Sequence, residues 1–128
     1  MAEPTHQCIL VVDGDVLVRH AISDYLRHCG YAVVEASSID EATTVLTQED
    51  LGVDAVLCDA DAPGTSNAFE FRVWAKQHHQ NVHTALAGNI EAAAQKAAEL
   101  CEQGPHFSRP YDPQSVVDYI RRLLDGAR

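Results

Sequence analysis

Acidic side chains follow two short hydrophobic segments of this 128-residue chain. Asp13 and Asp15 come directly after the first segment, and Asp59 and Asp61 follow a later one. Carboxylates that converge from two strand ends repel one another, so a fold that keeps them together needs a compensating cation. Mg²⁺ prefers oxygen ligands and is often held by one or two carboxylates. The pattern predicts an acidic pocket of Asp13, Asp15 and Asp61 beside Asp59, with Asp13, Asp59 and Asp61 as magnesium ligands.

A second interpretation of the same acids needs no ligand. Aspartate is favoured at helix N-caps and in loops, because its carboxylate accepts hydrogen bonds from backbone amides. Asp13, Asp15 and Asp61 could therefore be caps and loop acids alone. The choice depends on the elements that position them.

Hydrophobic periodicity predicts five strands that alternate with five helices. Continuous aliphatic runs indicate strands buried on both faces, and apolar residues at three- and four-residue steps indicate helices. The predicted strands are 9–12, 31–36, 53–58, 82–86 and 106–108. The predicted helices are 18–29, a second that starts from a capping box of Ser38 and Glu41, then 69–79, 90–102 and 113–126.

The short connections between these elements imply right-handed crossovers. We therefore predict an α/β, flavodoxin-like, doubly wound (βα)5 fold with a five-stranded parallel sheet, formed by residues 1–128 as a single domain. Ligands of such a sheet bind at the carboxyl ends of its strands. The acids after the first and third strands are at that edge.

The charge balance excludes one broad class of partner. The chain has 19 Asp and Glu against 9 Lys and Arg, a formal net charge of -10. Such a chain repels nucleic-acid phosphates and anionic lipids, so neither nucleic acid nor membrane is an expected partner. The first apolar run is too short for a signal peptide or a membrane span, which predicts a cytoplasmic protein.

The four cysteines are widely spaced and form no CxxC pair. Most of them fall within apolar periodic segments, which is typical of small buried side chains. We therefore expect reduced thiols and no zinc site. They are Cys8, Cys29, Cys58 and Cys101.

Three segments at the ends of the first, third and fifth predicted strands resemble landmarks of bacterial response-regulator receiver domains. These segments are Ile9 to Asp13, Val56 to Gly64 and Ser108 to Tyr111. The resemblance extends over nearly the whole chain and implies a stand-alone, chemotaxis-type receiver in a two-component phosphorelay. In that family a histidine kinase or phosphotransfer protein phosphorylates the aspartate that ends the third strand. That residue corresponds to Asp59, the implied phosphoacceptor.

The chain departs from the family's pattern where the family does chemistry. The second acid after the first strand, a magnesium ligand in the family, is Gly14, which implies weak or absent Mg²⁺ binding. Gly14→Asp is expected to restore it. Leu86 stands at the position of a hydroxyl residue, and Ala87 beside it also lacks a hydroxyl. Arg109 replaces the family's lysine, and a guanidinium is not interchangeable with an ammonium.

Further family positions lie near the fifth predicted strand and in the loop after the third. Pro110 corresponds to a proline that follows a cis peptide bond, and His106 stands at the aromatic switch position. Asn67 and Ala68 replace the family's Asp-Gly, which removes a glycine's access to positive φ.

Two signalling functions are open. One is a phosphoaccepting receiver, and the other is a pseudo-receiver that binds proteins without phosphoryl transfer. A remote third is a phosphatase, because Asp13-Gly14-Asp15 is similar to the paired aspartates of haloacid-dehalogenase-type enzymes. Those enzymes need acids near the fourth strand, where the chain has Leu86 to Asn89, so we expect no enzyme. No flavin is expected either, because the acids repel a cofactor phosphate.

The resemblance also implies a docking face on the fourth helix, fifth strand and fifth helix. Mixed aromatic and arginine surfaces are typical of binding hot spots, so we expect another signalling protein as partner and allow for a homodimer. In the alternative interpretation, the apolar members are core or incidental surface. The face would carry His106, Tyr111, Val117, Tyr119 and neighbouring arginines.

Overall fold

The computed structural model describes residues 7–103 and 112–126, except for the side chain of Glu49. The strands are β1 (Cys8–Val12), β2 (Ala32–Ala36), β3 (Val53–Asp59) and β4 (His83–Ala87). The helices are α1 (Val16–His28), α2 (Ile39–Thr47), α3 (Ala68–His78), α4 (Ile90–Gln103) and α5 (Pro113–Gly126), and a short 3-10 turn spans Glu49–Leu51. No helix in these ranges combines the length and apolar character that crossing a membrane requires.

The strands form a parallel sheet in the order β2-β1-β3-β4. The chain steps outward from β1 in both directions, which confirms the predicted doubly wound topology. The described sheet has four strands, where the sequence predicts five. The fifth predicted strand, 106–108, lies outside the described residues.

Helices cover both faces of the sheet. Strand residues alternate between the two faces, so each strand contributes to two separate hydrophobic clusters. One cluster joins the sheet to α1, α4 and α5, and the other joins it to α2 and α3. The β1 run is buried throughout, as expected for a strand at the centre of such a sheet.

The capping box predicted for Ser38 and Glu41 forms only in part. The Ser38 side chain accepts a hydrogen bond from the Glu41 amide, as expected of an N-cap. The Glu41 carboxylate, however, accepts from the Ser37 amide at 2.6 Å and from the Ser37 hydroxyl, so no reciprocal capping box forms. The cause is that the carboxylate reaches one residue further back than the motif requires.

The expectation of four reduced thiols is correct for Cys8 and Cys58, which are buried and free. It is wrong for Cys29 and Cys101, which form a disulfide. The physical reason is that α4 packs against α1 on the same face of the sheet. This brings together two residues that are 72 positions apart, which their spacing alone does not reveal.

Candidate functional site

A cleft of about 280 Å³ lies beyond the carboxyl ends of β1, β3 and β4. All four acids singled out in the sequence line it, because the parallel register of β1 and β3 brings their ends to one edge. Helices α1, α4 and α5 also contribute to its walls. The acids are Asp13, Asp15, Asp59 and Asp61.

Asp13 is half-buried at the end of β1. Burial raises the pKa of its carboxyl to about 6, and the charges of Asp59 and Asp15 raise that pKa as well. A hydrogen bond from the Asp15 amide to Asp13 Oδ1, 2.8 Å long, opposes the rise, as does the positive charge of Arg19. Burial and the neighbouring acids therefore make it costly for Asp13 to carry its own negative charge.

Asp15 serves mainly as the N-cap of α1. Its Oδ1 accepts hydrogen bonds from the Leu17 amide at 2.9 Å and the Val18 amide at 3.3 Å. This is the role that the ligand-free interpretation assigns to it. Asp61 is exposed, and its backbone amide donates to Asp59 Oδ1 at 3.2 Å. Asp15 therefore caps a helix through its carboxylate, whereas Asp61 holds the Asp59 carboxylate through its backbone amide.

Gly14 is closely covered by a proline ring. A Cβ atom at this position would lie 2.9 Å from Pro63 Cδ and 3.2 Å from Pro63 Cγ. A ring cannot swing aside as a flexible side chain can, so any side chain at Gly14 requires the loop to shift. Gly14→Asp alone therefore meets an obstacle that the sequence expectation of restored Mg²⁺ binding did not include.

The end of β4 also lacks a phosphate-binding hydroxyl. Asp59 pairs with Ala87 in the β3–β4 register, and Cys58 pairs with Leu86. Ala87 therefore lies on the Asp59 side of the sheet and lines the cleft, whereas Leu86 packs into the cluster on the opposite face. The position beside Asp59 is that of Ala87, one residue later than the motif alignment suggests.

The described residues of the cleft do not form a three-ligand metal cluster. Within residues 7–103 and 112–126, no three His, Cys, Asp or Glu side chains are grouped so that they could hold a metal ion. The predicted set of Asp13, Asp59 and Asp61 is thus not assembled as a three-carboxylate site. Pro63 fills the space that an additional ligand at Gly14 would need.

Several predicted positions are placed differently or are not described. His106, Arg109, Pro110 and Tyr111 lie outside the described residues. Val117 is buried in the core, as its alternative interpretation holds, because it packs with α1 and α4. Tyr119 is exposed, and Arg121 forms an ion pair with Glu91 of α4.

Sequence reasoning missed Arg19, the one Lys or Arg among the described residues that line the cleft. Its guanidinium donates to the Asp13 carbonyl oxygen at 3.0 Å and to the Glu35 carboxylate at 3.1 Å. The sequence did hold a signal for this role: Arg19 follows Asp15 by one helical turn, which places the Arg19 side chain over the end of β1. Cys58, next to Asp59, has a pKa raised to about 12 by burial and by the charges of Asp59 and Asp13, so its thiol stays protonated.

No family model matches the chain. A segment of 58 residues, 45% of the chain, is 38% identical to the two-component response regulator-like PRR37 of Oryza sativa subsp. indica. A segment of 56 residues, 44% of the chain, is 32% identical to the probable transcriptional regulator ycf29 of Cyanophora paradoxa. The chain spans only 8% and 26% of the lengths of these two relatives.

Solved receiver domains share the fold. The chemotaxis response regulator CheY4 of Vibrio cholerae matches 92% of the chain over 98% of its own length, with a TM-score of 0.58 and 20% identity. A CheY-like receiver domain protein of Methanospirillum hungatei JF-1 matches 95% of the chain over 96% of its own, with a TM-score of 0.62 and 19% identity. The chain therefore has the fold of the CheY-like receiver domains of response regulators, the family that its sequence motifs resemble.

Proposed function

We propose that the chain is a receiver-type module of phosphorelay signalling that acts through protein contact, without Mg²⁺-dependent phosphoryl transfer to Asp59. The receiver fold supports the signalling role. The observation that carries the finer proposal is the covered Gly14, since Pro63 fills the space in which a further carboxylate would stand. The cleft is acidic, and among its described residues no free cation or hydroxyl is placed to compensate a phosphoryl group.

Two further features support this proposal. Ala87 offers no hydroxyl to a phosphoryl oxygen beside Asp59. The one described cation of the cleft, Arg19, is already engaged by Glu35 and by a backbone carbonyl. An incoming phosphoryl group would therefore meet the charges of Asp13 and Asp59 with little described positive charge free to offset them. The module would act on another signalling protein, with neither nucleic acid nor membrane as partner.

A second candidate function is the phosphoaccepting receiver, with Asp59 modified by a histidine kinase or phosphotransfer protein. One observation favours it: Asp59 stands at the carboxyl end of β3 in an open cleft, and its Oδ1 is held by the Asp61 amide. A carboxylate presented in this way is accessible to a phosphodonor. The two candidates differ in a single measurable event, the covalent modification of Asp59.

The test is mass spectrometry of the intact protein after incubation with acetyl phosphate and Mg²⁺. We expect no phosphoryl adduct on the native chain, as on the Asp59→Asn control. An adduct that requires Mg²⁺ and is absent from Asp59→Asn would replace the proposal with the phosphoaccepting receiver.

A pair of designed variants tests the physical cause. Pro63→Ala removes both ring atoms that approach Gly14, so Gly14→Asp together with Pro63→Ala should bind Mg²⁺ at least roughly tenfold more tightly than either single variant in calorimetric titration. Equal binding by Gly14→Asp alone would show that Pro63 is not the obstacle.

A further inference from the structure

Helix α3 has an exposed apolar and basic face opposite the face it buries. Its buried residues are Ala68, Phe71 and Ala75, which pack against the sheet and α2. The remaining positions leave a solvent-facing stripe at the spacing i, i+3, i+4 and i+7, one side of a helix. We call these residues the α3 stripe: Phe69, Arg72, Val73 and Lys76.

The apolar members of the stripe are unusually exposed. Phe69 and Val73 each have 55% of their surface accessible, and they lie one helical turn apart. Only three other large hydrophobic residues among those described are comparably exposed, and none of the three lies on α3. Single exposed apolar residues are ordinary, whereas these two are neighbours on one face of a helix.

The basic members of the stripe have no acidic partner. Within the described part of the chain, neither Arg72 nor Lys76 forms an ion pair, whereas Arg19, Arg27, Lys96 and Arg121 each form at least one. The Arg72 guanidinium instead lies over the Phe69 ring, 5.9 Å from its centroid. The stripe therefore carries a local positive charge, although the chain has a net charge of -10.

We propose that the α3 stripe is a docking surface for an acidic amphipathic helix of a partner protein. Leucine-like side chains of the partner would pack on Phe69 and Val73, and its carboxylates would pair with Arg72 and Lys76. Complementary charge favours this occupant, because a second copy docked through the same stripe would set Arg72 and Lys76 of the two copies against each other, whereas carboxylates pair with them. The stripe is separate from the Asp59 cleft, so the proposal does not depend on whether Asp59 is phosphorylated.

The chain carries its own reporter for the test. Trp74 is the only tryptophan in the sequence and lies in α3 between stripe residues, half-buried and stacked on His78. The probe is a synthetic helical peptide of about 20 residues with leucine and glutamate at amphipathic spacing and no aromatic residue. A matched peptide with lysine in place of glutamate reverses its charge.

We expect saturable changes in Trp74 fluorescence with the acidic peptide and none with the basic one. Phe69→Ser, and Arg72→Glu combined with Lys76→Glu, should each raise the dissociation constant roughly tenfold or more. The matched control is Arg122→Glu on α5, an exposed arginine that likewise has no ion pair within the described residues; it should bind as the native chain does. Asp59→Asn should also leave binding unchanged. Circular dichroism checks that each variant is folded.

Four results would overturn the proposal. Absence of saturable binding by the native chain, or equal loss in Arg122→Glu, would mean that the stripe is not a specific surface. Dimerisation of the native chain in analytical ultracentrifugation that Phe69→Ser abolishes would assign the stripe to self-association. Binding to phosphatidylserine vesicles, but not to the acidic peptide, would assign it to a membrane surface.

Discussion

At the scale of single residues, the surroundings of Asp13 in the cleft destabilise the charged form of its carboxyl. Its carboxyl is half-buried and close to two other acids, and burial raises its pKa to about 6. In the unfolded chain the same group ionises with an ordinary pKa near 4. The folded protein therefore binds more protons than the unfolded chain between these two values, so stability falls as the pH rises through them.

Asp13→Asn should remove this cost while keeping the hydrogen bond, because an amide oxygen can still accept from the Asp15 amide. We expect the free energy of unfolding to rise by about 1 kcal/mol at pH 7.5, allowing for solvent screening at this half-exposed site. Below pH 4 the gain should vanish, since Asp13 is then protonated in both states. Urea denaturation at pH 7.5 and below pH 4 measures the free energy of unfolding, and Asp61→Asn, at an exposed acid, is the control. An equal gain in that free energy at both pH values would contradict the pKa argument.

The acids of the cleft were predictable from the sequence, because strand ends in a parallel sheet meet at one edge. The sequence did not decide between the two roles, helix cap or ligand, that it allowed for them. That Asp15 caps α1 and that Ala87, not Leu86, lies beside Asp59 depend on hydrogen bonds and register, which shift by one residue without changing the hydrophobic pattern. The approach of Pro63 to Gly14 is a contact between distant loops, which no local pattern encodes.

At the scale of elements, α3 shows how a departure from the family pattern gains a structural role. Asn67 accepts a hydrogen bond from the Glu70 amide at 2.8 Å, and the Glu70 carboxylate accepts from the Asn67 amide at 3.2 Å. This reciprocal capping box satisfies two amides that the first helical turn leaves without partners. Asn67 differs from the family's aspartate, yet it fixes the start of the helix that carries the α3 stripe.

Asn67→Ala should lower the free energy of unfolding by about 1 kcal/mol, because the Glu70 amide loses its acceptor. Glu70→Gln is the matched control, since glutamine can still accept from the Asn67 amide and should cost less than Asn67→Ala. Chemical denaturation followed by Trp74 fluorescence reports on α3 directly. Equal stability of Asn67→Ala and the native chain would show that solvent replaces the cap at no cost.

At the scale of the whole molecule, the positions of the elements follow from local periodicity, and the sequence predicted the four described strands and the five helices to within a few residues. Contacts between distant elements were harder to predict. The packing of α4 beside α1, and the Cys29–Cys101 disulfide that it allows, depend on residues separated by most of the chain. Cysteine spacing carries no signal for such a pair, so the thiols were predicted to be reduced.

The disulfide should contribute strongly to stability. In the chain-entropy account, a cross-link that closes a loop of this length stabilises the folded state by about 4 kcal/mol. Thermal denaturation with and without a reducing agent should therefore show a clear fall in midpoint on reduction. The variant Cys29→Ala with Cys101→Ala should have the lower midpoint and should not respond to the reducing agent. A denaturation midpoint of the native chain that does not change on reduction would contradict the prediction.

The same cross-link has a topological consequence. It closes the backbone from Cys29 to Cys101 into a covalent ring that holds β2, β3 and β4, while β1 belongs to a tail outside the ring. Yet β1 lies between β2 and β3 in the sheet. The oxidised molecule is thus a ring whose sheet is completed by a strand inserted from its own tail, and a backbone cut in the exposed loop near Thr65 would open the ring without separating the two pieces.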